Sequence, residues 1–340
     1  MISYLLSITL FLATQSPPVP EAVVPGSIVE QMKTEAIAMG ALVTSSLAKE
    51  FLTGFPCLPA LATPRVAYYN KDTRDALSEA TAKGMTEEQL TGYARRDLDE
   101  RFFYLTRYGT PVAFTRPLEI LGRAGIKHVD GLKLLDFGFG SIGQLRALAC
   151  LGADAVGVEV DLLLKQIYSD PGDTGSIARC EEAGEGRNGS VKLIFGQFPA
   201  EAATVAAAGT GYDVFISKNT LKRGYIHPEQ AVDPRMLVHL RVDDETYVRA
   251  MFDLLKPGGF ALIYNLSPAH AKEGEPYKPW ADGRCPFPRE LFERVGFAVV
   301  AYDNDDSGPA RKMGEALGWS DSMDLETELF GTYTLVKRPQ

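Results

Sequence analysis

The stretch LLDFGFGSIGQLRALACLGADAVGVEVD, residues 134–161, decides the fold of this chain. Its opening apolar run stops at Gly138, the pattern of a short buried strand. SIGQLRALACLG then places Ile142, Leu145, Leu148 and Ala149 on one helical face and stops at Gly152. AVGVEV follows as a second strand. Gly138 and Gly140 fall in the turn between strand and helix, where they permit backbone angles and close approaches that a Cβ forbids. The helix that follows is expected to offer free N–H groups and a positive dipole end. At the carboxyl edge of an open sheet this is where a nucleotide-like ligand binds. Glu159 closes the second strand, a position from which a carboxylate can accept hydrogen bonds from ribose hydroxyls or merely solvate a strand end. Asp161 is read as the start of the next helix. GFGSIG, residues 138–143, matches the dinucleotide pattern GxGxxG, so an NAD(P)-dependent oxidoreductase is one reading. Asp136 pulls the other way. Two residues ahead of the first glycine, a carboxylate faces a pyrophosphate badly and suits a cationic amino-acid tail. Its alternative role is to cap the helix near Ser141.

Outward from this unit, strands and amphipathic helices alternate. SVKLIFG and YDVFISKN read as the third and fourth strands, FALIYNL and FAVVAYD as the fifth and sixth, and ELFGTYTLVKR as a last strand or hairpin arm. DETYVRAMFDLLKPGG is a helix capped by Asp243 or Asp244, with Tyr247, Met251, Leu254 and Leu255 inward. PRELFERVG is a helix starting near Pro288. Near-continuous apolar strands between such helices imply an α/β, Rossmann-like doubly wound, mostly parallel sheet with helices on both faces. Before it, residues 26–127 read as a helical N-terminal region or lid, and residues 128–340 as the ligand-binding domain. SIVEQMKTEAIAMGALVTSSLAKEFL follows Ser27 as cap and places Ile28, Met32, Ile37 and Leu42 near one stripe. Thr86 and Gln89 have capping-box spacing ahead of a helix through MTEEQLTGYARRDLDERFFYLTRYG. RPLEILGRAG is a short helix ended by Gly125.

LLDFGFG, GVEVD, YDVFISKNTL and LLKPGG together resemble the class I S-adenosylmethionine-dependent methyltransferases, over about residues 100–338. Ile142 stands where that family often has a third glycine. The resemblance implies a seven-stranded sheet with the last strand antiparallel, binding S-adenosylmethionine. It implies Gly138 and Gly140 under the methionine moiety, Asp136 near its amino group, Glu159 on the ribose and Lys218 at the cofactor. GQFPAE matches the adenine-contacting segment, with Gln197 for the adenine edge and Phe198 for its face; Phe198 reads equally as a core residue. A non-catalytic cofactor-binding or assembly protein of the same fold is the reading from another class.

Methyl transfer from a sulfonium is an in-line displacement, and a base is needed only where the acceptor has a proton to lose. SKNTLKRGYIHP, residues 217–228, leaves the fourth strand, where the family places acceptor-facing residues. It concentrates Lys218, Asn219, Lys222, Arg223, Tyr225 and His227. One reading is a pocket for an anionic or polar acceptor, with His227 as base, Asn219 catalytic, and Lys222, Arg223 and Tyr225 on the substrate. The other is a structured loop with its cations in solvent. The insertions at 169–190 and 267–288, the latter carrying Tyr277 and Trp280, are further expected walls of the acceptor site. Tyr108 and Arg116 are expected within reach of the cofactor's carboxylate.

The formal net charge of −9 argues against a general nucleic-acid binder, whose footprint would be basic. The expected partner is a small-molecule or protein acceptor. Four scattered cysteines form no CxxC and no zinc spacing, so no metal is expected and no disulfide is required. ISYLLSITLFLA, residues 2–13, is too short to span a bilayer comfortably and suits a signal-peptide h-region or an anchor within residues 1–25. Membrane contact, if any, is expected only through residues 1–16. Export conflicts with a cofactor made in the cytoplasm, so the sequence leaves localisation between the two.

Overall fold

The computed structural model describes residues 26–340, so the expected signal or anchor within residues 1–25 lies outside the described residues. Among the described residues no helix is long and apolar enough to cross a membrane.

The N-terminal region departs from the helical expectation. It holds a small antiparallel sheet of β1 (Arg65–Asn70), β2 (Ala76–Ser78) and β3 (Tyr93–Leu98) in the order β2-β1-β3. The capping box at Thr86 and Gln89 does form, with reciprocal bonds of 3.3 and 2.9 Å. No helix grows from it, because Gly92 takes a φ of +85° and the next six residues pair along all of β1. Cross-strand pairing outweighs a local cap, which contributes only ~1 kcal/mol. Asp99 caps a later helix, Glu100–Leu105, instead. The stretch after Ser27 is two helices, Ile28–Gly40 and Ser46–Leu52. The buried stripe of the first is Val29, Met32, Ala36 and Met39; Ile37, expected inside, is 80% exposed. Ile28, Met32, Ile37 and Leu42 drift around the helix, whereas the observed set keeps the 3-4-3 spacing of one face.

The main sheet comprises β4 (Lys133–Phe137), β5 (Asp154–Glu159), β6 (Gly175–Ile177), β7 (Gly189–Phe195), β8 (Tyr212–Lys218), β9 (Leu255–Ser267), β10 (Ala298–Asp305) and β11 (Phe330–Lys337). Their order is β10-β11-β9-β8-β4-β5-β7-β6. β4, β5, β7, β8 and β9 run parallel, while β11 is antiparallel to both β9 and β10. Seven strands match the expectation. The eighth, β6, is a three-residue edge strand from the 169–190 insertion, antiparallel to β7. Adjacent residues of β4 serve opposite cores. Leu134 packs with the N-terminal helices and the helix Gly143–Ala149, and Leu135 with Phe215, Tyr247, Met251 and Phe287. Because the N-terminal helices share the first core, they are bound to one face of the sheet rather than tethered beside it.

Cys57 and Cys180 form a disulfide between the N-terminal region and the 169–190 insertion, 123 residues apart. Closing so long a loop restricts the unfolded chain, so Cys57→Ser is expected to cost roughly 2–4 kcal/mol. Urea unfolding with and without reductant checks this. Equal midpoints for the variant and the oxidised protein would count against it.

Candidate functional site

The glycine turn at the carboxyl end of β4 is clamped from two sides. Gly138 and Gly140 have φ of +72° and +60°. The Gly138 N–H donates to the Val158 carbonyl at 2.9 Å, and the Thr220 hydroxyl reaches the Gly138 carbonyl at 3.4 Å. From the N-terminal region, the Thr106 hydroxyl donates to the Gly140 carbonyl at 2.9 Å. The Tyr108 ring lies so close over Gly140 that a Cβ there would sit 2.8 Å from a ring carbon.

The helix N-terminus behind the turn is not the open anion seat expected. The Ile142 N–H donates to the Tyr168 hydroxyl at 3.3 Å and the Gly143 N–H to the Ser141 hydroxyl at 3.2 Å. Ser141 in turn donates to the Tyr104 carbonyl, and Pro111 covers Gly143. Tyr168 and the turn's own Ser141 have taken these two donors, and the N-terminal region packs over them. A dinucleotide pyrophosphate needs them free, so the geometry disfavours the NAD(P) reading of GFGSIG.

Asp136 is fully buried behind the turn. Its Oδ2 accepts from the Gln144 side chain at 3.0 Å, so it does not cap the helix, and its Oδ1 has no partner. Burial pushes this carboxyl up to about 7, against the pull of Gln144 and Lys218. Lys218, at the end of β8, is pulled down to about 8 by burial and held up by Asp136. Glu159 accepts from the Val160 and Asp161 N–H groups at 2.7 and 3.3 Å, both through Oε1. Burial raises its carboxyl as well. Asp161 caps the next helix and pairs with Arg107 at 2.5 Å.

Gly138, Gly140, Glu159, Gln197, Phe198 and Lys218 line one cavity of about 1670 Å³, which extends under the N-terminal region. Phe198 presents an edge there, but its ring is buried against Phe137 and Tyr247 at centroid distances of 6.4 and 6.2 Å. The Gln197 N–H is held by Glu201 at 3.0 Å.

The acceptor loop divides. Lys222 and Tyr225 line the same cavity with Lys278 and Trp280. The Lys222 ammonium donates to the Leu266 carbonyl at 2.6 Å. Asn219 lies on the wall, with φ +65°, and its Oδ1 accepts the Leu266 N–H at 2.7 Å. Its carboxamide oxygen therefore tethers β9 rather than facing a substrate. His227 and Arg223 are not on the cavity wall. The helix Arg223–Ile226 turns them outward, where His227 pairs with Asp244 at 2.9 Å and Arg223 lies 3.8 Å from Asp282. The general-base role for His227 and the substrate role for Arg223 are both corrected by this placement. Arg116 is likewise redirected: it makes a buried two-bond pair with Asp306 at 2.6 and 2.7 Å. The 169–190 insertion contributes to the sheet edge and the disulfide, not to this cavity. Of the second insertion, Ser267, Pro268, Lys278 and Trp280 reach the wall; the Tyr277 hydroxyl binds the Glu229 N–H at 3.2 Å instead.

Two contributors were not singled out from sequence. Thr220 sits against the glycine turn, and its place two residues beyond Lys218 in the strand exit was the available signal. Glu35 on the helix Ile28–Gly40 is a buried cavity-wall carboxylate, held by Thr110 at 2.5 Å and Gln31 at 2.7 Å. A glutamate inside the apolar stripe was its signal.

No family model matches the chain, and no curated protein matches it. Among solved structures it is similar to phosphoethanolamine N-methyltransferase 2 of Haemonchus contortus, at 13% identity over 92% of this chain and 83% of that one, TM-score 0.39. It is similar also to an S-adenosylmethionine-dependent methyltransferase from Mesorhizobium loti, at 17% identity over 66% and 98%, TM-score 0.37. A third is the cyclase SpnF, at 14% identity over 95% and 98%, TM-score 0.39. Likenesses this distant leave the fold to be read from the strands themselves. With β11 inserted antiparallel between β9 and β10, and the glycine turn after the central strand β4, the fold is that of the class I S-adenosylmethionine-dependent methyltransferases.

Proposed function

We propose that this chain is an S-adenosylmethionine-dependent methyltransferase whose acceptor enters the same cavity. The observation that carries the reading is Asp136: a buried carboxylate with an orphaned oxygen, directly behind a glycine turn whose helix end is already sealed. A buried polar atom left unsatisfied costs about 1–3 kcal/mol, so a cationic ligand group there is favoured. Asp136, which does not itself line the cavity, faces the ligand's amino group through its charge from behind the turn, Glu159 takes the ribose hydroxyls through Oε2, Gln197 the adenine edge, and Phe198 an apolar wall. The bound cofactor supplies a methyl group on a sulfonium. The chain's part is to align the acceptor behind that methyl group, and alignment supplies much of the rate.

Calorimetry with S-adenosylmethionine, S-adenosylhomocysteine and NAD⁺ tests the reading. The first two are expected to bind and NAD⁺ not; the reverse pattern would overturn it. Glu159→Ala is expected to weaken both by about 1.5–3 kcal/mol. Affinity is also expected to depend on pH. Asp136 ionises near 7 in the free protein, and a cationic amino group favours the ionised form. Binding below that pH must therefore release a proton and weaken as pH falls. Titration in buffers of different ionisation enthalpy reads the proton, and Asp136→Asn should abolish its release.

A further inference from the structure

We propose that the cavity wall around Lys222 is an anion site, in which Lys222 and Lys218 hold a carboxylate or phosphate of a planar acceptor between Tyr225 and Trp280. As the acceptor's seat, this rests on the methyl-transfer reading above.

Lys222 is only 4% exposed. Its ammonium donates to the Leu266 carbonyl at 2.6 Å and the Trp280 carbonyl at 3.4 Å, and lies 5.5 Å from the Tyr225 ring centroid. An ammonium has three donors, so two carbonyls leave one. Among the described residues neither Lys222 nor Lys218 forms an ion pair, and the charge acting on Lys222 is that of Lys218. Asp136 acts on Lys218 through its charge without forming an ion pair with it, and Asp282 is taken by Arg284 at 2.7 Å and faces Arg223. Lys278, which also lines the cavity, lies 3.7 Å from Glu275. Buried charge is costly unless paired, and burial with the neighbouring Lys218 pulls Lys222 down to about 7. A sulfonium in the same cavity adds one more positive charge. An acceptor anion neutralises this excess and restores the Lys222 proton. The Tyr225 ring beside Lys222, with Trp280 on the same cavity wall, suits a flat apolar body next to that anion.

The sign of the pH dependence follows. An anion binds the protonated lysine, so its affinity is full below about 7 and falls as pH rises through that value. Both tryptophans, Trp280 and Trp319, line the cavity, so intrinsic fluorescence reports binding. The probes are benzoate, phenyl phosphate and the neutral isostere benzamide, with and without S-adenosylhomocysteine. At least one anion is expected to bind about tenfold or more tighter than benzamide, a difference of ~1.4 kcal/mol. The tighter of the two identifies carboxylate or phosphate. Lys222→Gln is expected to lose that tenfold while keeping S-adenosylhomocysteine affinity, and His227→Ala to change neither. Should Lys222→Gln not fold, Lys218→Gln and the wild-type pH series read the same site. Benzamide binding as tightly as both anions, or anion affinity constant across neutral pH, overturns the anion site. If S-adenosylhomocysteine fails to bind while an anion binds through Lys222, the anion site stands and the methyl-transfer reading falls.

Discussion

Gly138→Val is expected to lose S-adenosylhomocysteine binding by about a hundredfold or more, equivalent to ~2.7 kcal/mol. Two costs fall on the same position. The backbone there has a φ of +72°, which a β-branched residue adopts only with strain of roughly 1–3 kcal/mol. A Cβ would also meet Thr220 of the β8 exit, with side-chain carbons at 2.8 Å. Neither neighbour gives easily, because the Gly138 N–H is fixed to Val158 and Thr220 follows Asn219, whose amide is bound to β9. Relief comes from moving the glycine turn away from β8, which separates the proposed cofactor seat from Lys218. Gly138→Ala with Thr220→Ser keeps the φ penalty and removes part of the clash, so it should recover part of the affinity. Calorimetry on folded protein checks both. Wild-type affinity in Gly138→Val would remove the turn from the binding site.

Glu119→Gln is expected to destabilise the protein by about 2–4 kcal/mol at neutral pH and by much less in acid. Glu119 is fully buried and accepts from the Thr44 and Ser45 hydroxyls at 2.7 Å, from the Ser45 N–H at 2.9 Å, and from Arg123 at 2.8 Å. Burial pushes its carboxyl up, but the bonds from Ser45 and Thr44 outweigh burial and hold it at about 2, below the ordinary 4.5. A depressed carboxyl contributes stability that is full above about 4.5 and is lost as pH falls toward 2. The difference between those values corresponds to ~3 kcal/mol. A carboxamide offers one acceptor oxygen where the carboxylate offers two, and it leaves Arg123 unpaired. Urea midpoints for both proteins should therefore converge between about pH 4.5 and pH 3. A gap constant across that range would show that Glu119 acts by shape alone. The helix Ser46–Leu52, capped by Ser45, would be first to loosen.

Stretches whose local pattern and long-range packing agree were legible without the structure. The unit from Leu134 to Glu159 is one: an apolar run, a glycine stop and a helical face each have a single solution, and the sheet uses all three. The helix capped by Asp243 is another, with Tyr247, Met251 and Leu254 buried as the spacing required, while Leu255, also buried, already starts β9. Thr86 and Gln89 show the limit. Their capping bonds are real, yet pairing with β1, more than twenty residues earlier, decided what followed.

The candidate site divides along the same line. That Gly138, Gly140, Glu159 and Lys218 come to one cavity wall was readable because a parallel strand delivers its last residues to one edge of the sheet; that Asp136 stays buried behind that wall was not. Side chains of the loop after β8 were not. Lys222 and His227 look alike as isolated polar residues in sequence, but one short helical turn sends the first into the cavity and the second to Asp244 at the surface. Arg116 reads as a free cation until Asp306, 190 residues later, is brought against it. The sealed helix end behind the glycine turn was also out of reach. It depends on Tyr104, Pro111 and Tyr168 converging from two other segments. By itself the sequence determined the order of the seven long strands of the main sheet and their helices, and so the sheet edge where the glycine turn and its crevice lie, because short-range patterning sets those. The tertiary structure alone decided which charges face that crevice, because a buried charge goes where distant partners satisfy it.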